Sequence, residues 1–219
     1  RILSIGLLLL GALSATALPA SALQHPTKDL QKNWGTDVMN VTQAQLHPDH
    51  WLQKLKNPEQ LVMTQEQITA HNQGLIEHNR FVSDPLSSPE SLTDKQLTAK
   101  IHSISKVPKS ARYFVDGRQL SAQDYELYQD NMTFAPAPNG HKVGFGLMVK
   151  RAALRTFPTD DRVLNSGMDA DLDRFQESAL FPGDAVAILT YSKDKQWALV
   201  QGFNYLAWTR VENFALGSK

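Results

Sequence analysis

At Ala135-Pro-Ala-Pro-Asn-Gly140 the hydrophobic pattern of this 219-residue chain changes its period. Before this linker apolar residues recur at helical spacing, and after it they alternate one by one. The break predicts an α+β chain: a small helical and extended N-terminal segment, then a β-barrel. In the first part, Thr64-Gln-Glu-Gln67 is a capping box. Ile68, Leu75 and Ile76 follow at i, i+7 and i+8, one face of a helix ending near Asn79. Thr93 or Asp94 opens a second helix with Leu97, Ile101 and Ile104 on one side. A shorter helix from Trp51 to Leu55 follows Pro48, and residues 121–132 suit one more helical turn. Tyr113-Phe-Val115 and Gln119-Leu120, around Asp116-Gly117, read as two short strands and a tight turn.

After the linker, Val143, Phe145, Leu147 and Val149 alternate with smaller or polar neighbours. Asp184–Tyr191 and Gln196–Gln201 flank a polar turn at Lys193-Asp-Lys195, and Asn204–Thr209 and Val211–Phe214 follow. About five short strands joined by turns predict a closed or nearly closed small barrel. The stretch Pro158–Pro182 is too long for a hairpin and is expected to fold over one barrel end as a loop.

Composition narrows the chemistry. The chain has no cysteine, which removes disulfides, thiolate metal sites and a cysteine nucleophile. Lys+Arg and Asp+Glu are 22 each, so no net field holds a polyanion and nucleic acid is not the main partner. Arg1 precedes an apolar run, Ile2–Leu13, and small-residue sites of the A-x-A form follow at Ala15-Thr-Ala17 and Ala20-Ser-Ala22. That arrangement predicts a signal peptide over 1–22, with either site cleaved and no stable membrane anchor afterwards. The chain is expected to be exported, to the periplasm or the cell wall. The expected division is therefore 1–22 signal peptide, 23–140 helical segment with a short hairpin, and 141–219 barrel.

An ordered series of short motifs carries a family resemblance. Leu154-Arg-Thr-Phe-Pro-Thr159, Asp173-Arg-Phe-Gln-Glu177, Leu180-Phe-Pro-Gly-Asp-Ala-Val186, Ser192–Trp197 with Val200, and Tyr205-Leu-Ala-Trp-Thr209 resemble a bacterial SH3 domain. The similar type is the one found in NlpC/p60 murein peptidases. Leu61-Val-Met-Thr-Gln-Glu-Gln-Ile68 with Asn72, and Tyr113-Phe-Val-Asp-Gly117, resemble the N-terminal stabilising segment of the same proteins. The resemblance implies the non-catalytic front of an exported cell-wall peptidase, with a murein stem peptide as ligand. It also implies a papain-like catalytic domain, with a cysteine nucleophile and a histidine base, following residue 219. The family hydrolyses γ-D-glutamyl–diamino acid bonds, and this cysteine-free chain has no catalytic residue for that step. Two alternatives stand beside it: a stand-alone exported cell-wall-binding SH3 module, or a glycosidase using the carboxylates of Asp169, Asp171, Asp173 and Glu177.

Candidate site residues come from the aromatics and the long loop. Trp197 and Trp208 suit either a barrel core or an aromatic groove, whereas the hydroxyls of Tyr191 and Tyr205 suit a wet edge. The loop carries Asp160, Asp161, Asp169, Asp171, Asp173 and Glu177 against Arg162 and Arg174. In the resembling family this loop borders the peptidase cleft, where acidic groups could meet the free amine of a stem peptide. The ligand-binding candidates are Asp173, Arg174, Gln176, Glu177, Tyr191, Tyr205 and Trp208. Asp169-x-Asp171-x-Asp173 is like the start of a calcium loop, but Arg174 stands where glycine belongs and Leu180 where a bidentate glutamate belongs. His47/His50 and His71/His78 lack further convergent ligands. No metal and no cofactor are expected.

Overall fold

The computed structural model describes residues 38–79 and 81–219, so the apolar run at 2–13 and both A-x-A sites lie outside the described residues. The chain divides into two compact units, Arg1–Val62 and Met63–Lys219. In the first, a 3-10 turn at Gln43–Leu46 leads into α1 (Pro48–Leu52). Pro48 begins the helix, where its missing N–H costs nothing. The Trp51 indole N–H donates to the Gln45 carbonyl at 2.8 Å. This helix stops at Leu52 rather than reaching Leu55.

In the second unit, three helices start on the side-chain caps that the sequence offers. Thr64 caps α2 (Gln65–His78), Thr93 caps α3 (Asp94–Ile104) and Ser121 caps α4 (Ala122–Asn131). Each cap hydroxyl accepts from an amide three residues on, and that residue's side chain reaches back to the cap amide. The helices differ in what they bury. α3 buries Leu97 and Ile101, and α4 buries Tyr125 and Tyr128. α2 buries nothing: Ile68 and Ile76 are each 39% exposed, so the apolar stripe is present but uncovered among the described residues.

The main sheet has seven strands: β4 (Gly144–Met148), β5 (Ala152–Arg155), β7 (Gln176–Leu180), β8 (Ala185–Tyr191), β9 (Trp197–Gln201), β10 (Leu206–Arg210) and β11 (Phe214–Gly217). Their order is β11-β4-β8-β9-β10-β5-β7, antiparallel throughout. Two small two-stranded pairs complete the fold. β1 (Ser91–Leu92) pairs with β3 (His141–Lys142), and β2 (Tyr113–Phe114) pairs with β6 (Val163–Leu164). Nine strands thus follow the linker rather than about five: β6 and β7 lie inside the stretch 158–182 expected to be a loop, and β3 and β5 lie outside the expected strands as well. Gly146 is required where β4 meets β11: a Cβ there would sit 2.8 Å from the Ala215 carbonyl oxygen.

Strand β8 explains how the core is organised. Its side chains alternate between two apolar clusters, with Val186 and Ile188 in one and Ala187 and Leu189 in the other. The Val186 side is shared with Met148, Leu154, Val200 and Phe214. The Ala187 side is covered by the helices: Leu97, Ile101, Tyr125, Tyr128 and Met132 cluster with Phe157, Phe175, Trp197 and Trp208. The core therefore runs across the Ala135–Gly140 linker. Asp94 fastens that linker down, accepting from the Ala137 amide (3.1 Å) and pairing with the His141 ring (2.7 Å).

Candidate functional site

Strand β5 ends in Arg155, and the chain then turns through Phe157 and Pro158 into the acidic stretch. Phe157 and Phe175 are buried against Tyr125 and Tyr128 of α4, with ring centroids 5.0–6.4 Å apart. These rings anchor the two ends of the segment; between them residues 160–162 and 166–172 are exposed, while Val163 and Leu164 turn inward and are buried. Backbone pairing of Val163 and Leu164 with β2 holds the segment midway.

Polar bonds fix its walls. Arg155 Nη1 donates to Asp173 Oδ2 at 2.8 Å, and the two side chains are 7% and 13% exposed. Arg155 Nη2 donates to the Asp161 carbonyl at 2.6 Å. The other Asp173 oxygen accepts from the amides of Val163 (3.2 Å) and Phe175 (3.0 Å). The Tyr128 hydroxyl donates to Asp161 Oδ2 at 2.6 Å, and burial together with that bond pushes its pKa far up. Glu177 accepts from the Thr156 hydroxyl at 2.7 Å and from the Tyr205 hydroxyl. Burial first, and then the bond to Glu177, push the Tyr205 hydroxyl up to about 12.

These bonds leave an open cleft of about 480 Å³. Asp160, Asp171, Asp173 and Glu177 make it acidic, with Arg162, Leu172 and Gln176 completing the wall. Asp160 also accepts from Arg210, and Arg162 donates to the Ala170 carbonyl. Asp173 and Glu177 each commit both oxygens to structural donors, so neither is free to cycle a proton. Asp169 accepts from the Asp171 amide while Asp173 turns to Arg155, so the three aspartates of the calcium-like spacing do not share one ligand point.

The sequence candidates separate into four places. Asp173, Gln176 and Glu177 line the cleft, and Tyr205 reaches its rim through Glu177. Arg174 is exposed and holds the segment by its backbone, donating to the Val163 carbonyl at 2.6 Å. Tyr191 lies apart, in a shallow apolar depression of about 470 Å³ with Lys195, Val211, Phe214 and Leu216. Trp208 is corrected from candidate ligand residue to core. It is fully buried, and its indole N–H donates to Ser105 Oγ at 3.0 Å, so it has no face to offer a ligand. Trp197, 3% exposed, is likewise core. Sequence reasoning missed Arg155, Thr156 and Tyr128. The available signal was an arginine inside the apolar run of β5, where a charge requires a buried partner.

Residues 162–210 match a family model described as an SH3 domain of the SH3b1 type. A solved structure of an NlpC/P60 endopeptidase from Photobacterium damselae subsp. piscicida has a similar fold, with a TM-score of 0.52 and 20% sequence identity. The match covers 70% of this chain and 37% of that one. No curated protein matches.

Proposed function

We propose that this chain, an α+β assembly built on a bacterial SH3 domain, is the non-catalytic front part of an exported NlpC/p60-type cell-wall peptidase. Residues 23–140 act as its stabilising segment and 141–219 as the barrel, which borders the murein stem peptide. Cleavage of the γ-D-glutamyl–diamino acid bond belongs to a separate papain-like domain that carries the cysteine. The observation that carries the reading is the acidic cleft of Asp160, Asp171, Asp173 and Glu177 on the SH3 domain. Its wall charge complements the free amine of a short peptide. The reading is also supported by the fold likeness to an NlpC/P60 endopeptidase. The apolar run followed by A-x-A sites supports export.

An open cleft buries little of a small peptide, and association itself costs several kcal/mol. Affinity for a murein stem tripeptide is therefore expected on the order of 0.1–1 mM. Amide chemical-shift titration of the chain with such a tripeptide tests this. Shifts should centre on residues 160–177, and N-acetylation of the peptide should weaken binding by about threefold or more. Shifts elsewhere only, or indifference to acetylation, would remove the cleft from the reading. Muropeptide cleavage by this chain alone, insensitive to thiol reagents, would overturn the non-catalytic assignment.

A further inference from the structure

We propose that Arg155, which lines no part of the cleft, is the residue that sets the cleft's charge geometry, with Tyr128 as its second support. The inference rests on the peptide-binding reading above and assigns roles to residues behind the cleft wall.

The geometry is that of a buried fork. One arm of the segment passes at Asp160-Asp161-Arg162, the other at Asp171-Leu172-Asp173. Arg155 touches both: Nη2 holds the Asp161 carbonyl (2.6 Å) and Nη1 holds the Asp173 carboxylate (2.8 Å). Asp161 is pinned a second time, by the Tyr128 hydroxyl on its carboxylate (2.6 Å). Cleft-facing residues stand at or beside both pins: Asp160 and Arg162 flank Asp161, Asp173 itself lines the cleft, and Asp171 stands two positions before it. A shift of either pin therefore moves a cleft charge directly.

The side-chain chemistry fits this task. A guanidinium is planar and presents donors in a fixed fork, so one group can set the distance between two acceptors on different arms. A lysine ammonium is a point charge and cannot reproduce that span. Arg155 is 7% exposed on its side chain, which keeps solvent from competing for either bond. A buried charge without partners would be strongly unfavourable, so the two arms cannot separate from Arg155 independently.

The test uses the full chain and a murein stem tripeptide with a free amine. Arg155→Lys keeps the charge opposite Asp173 and removes the fork; Tyr128→Phe removes only the hydroxyl. Each folded variant is expected to bind the tripeptide about threefold or more weakly, the loss that N-acetylation of the ligand causes by removing the same exposed charge contact. Amide shifts in the free protein should change at 160–164 and 171–177 and nowhere in β8–β9. If Arg155 served stability alone, Arg155→Lys would lower the denaturation midpoint and leave the affinity of the folded protein unchanged. Affinity within about twofold of the parent chain in folded Arg155→Lys overturns the proposal. Tyr128→Phe is read by the same criterion if Arg155→Lys does not fold. Absence of any tripeptide binding by the parent chain overturns the peptide-binding reading itself, and the inference with it.

Discussion

Ser105 is a small residue with a large structural role. It is 6% exposed, accepts from the Trp208 indole at 3.0 Å, and donates to the Thr156 carbonyl at 2.7 Å. Ser105→Ala leaves a buried N–H and a buried carbonyl without partners. It is expected to cost about 1–3 kcal/mol, read as a lowered urea midpoint with an unchanged slope. A shift of only a few tenths would mean that water replaces the hydroxyl. At this scale the sequence showed residue types but not pairings. Trp208 suited either core or groove, and only the register Trp208↔Leu199 with the indole bond to α3's cap decides it. Asp173 has an acidic side chain in a loop and reads as ligand-facing. Its partner Arg155 stands 18 residues earlier, beyond any local pattern.

Among the elements, helices were more legible than strands because capping is local. Thr64 and Thr93 announce their helices with bonds three residues long, whereas residues 121–132 suited only a helical turn and hold the ten-residue α4 behind the cap Ser121. What a helix buries is not local, and the stripe of α2 shows it, since an apolar face does not say what covers it. Strand β7 was hidden because Gln176-Glu-Ser-Ala-Leu180 is too polar to stand out from a loop, and β6 because the two residues Val163–Leu164 are too few to show a period. Helix α4 offers the sharpest test. Asp124 lies at its third position, paired with Arg118 at 2.8 Å and accepting from the Ser121 amide and hydroxyl. The Arg118 guanidinium first, then those two bonds, hold its carboxyl well below the ordinary value of 3.8. A depressed carboxylate stabilises the fold above its unfolded pKa, and that contribution is lost as pH falls below it. Asp124→Asn is thus expected to cost about 0.5–2 kcal/mol at pH 7. The gap to the parent chain should narrow as pH falls below 3.8, because protonated Asp124 resembles the amide. Denaturation midpoints at pH 7 and pH 3 check this, and a gap constant between them would refute it.

For the molecule as a whole, the change of period at the linker located a shift of secondary structure but not a break in the core. α3 and α4 contribute Leu97, Ile101, Tyr125 and Tyr128 to the cluster that buries Phe157, Phe175 and Trp208. Residues 141–219 expressed alone should therefore lack a cooperative thermal transition and bind a hydrophobic dye. Residues 63–219, which keep the compact unit whole, should melt in one step. Cooperative, dye-silent melting of 141–219 would show that the barrel does not need its helical cover.

The bond between Ser105 and Trp208 closes a loop of 103 residues, and the Ser83 hydroxyl reaches Gly202 across 119. A ribosome delivers α3 and α4 long before the strand they pack on. Until β10 emerges, those helices have no surface to settle against, and short helices are marginal alone in water. Folding of such a topology is slow and comes late, since distant loops must close before their contacts stabilise anything. Residues 63–219 thus stay threadable until β10 and β11 have been made, and form a compact body only when those strands arrive.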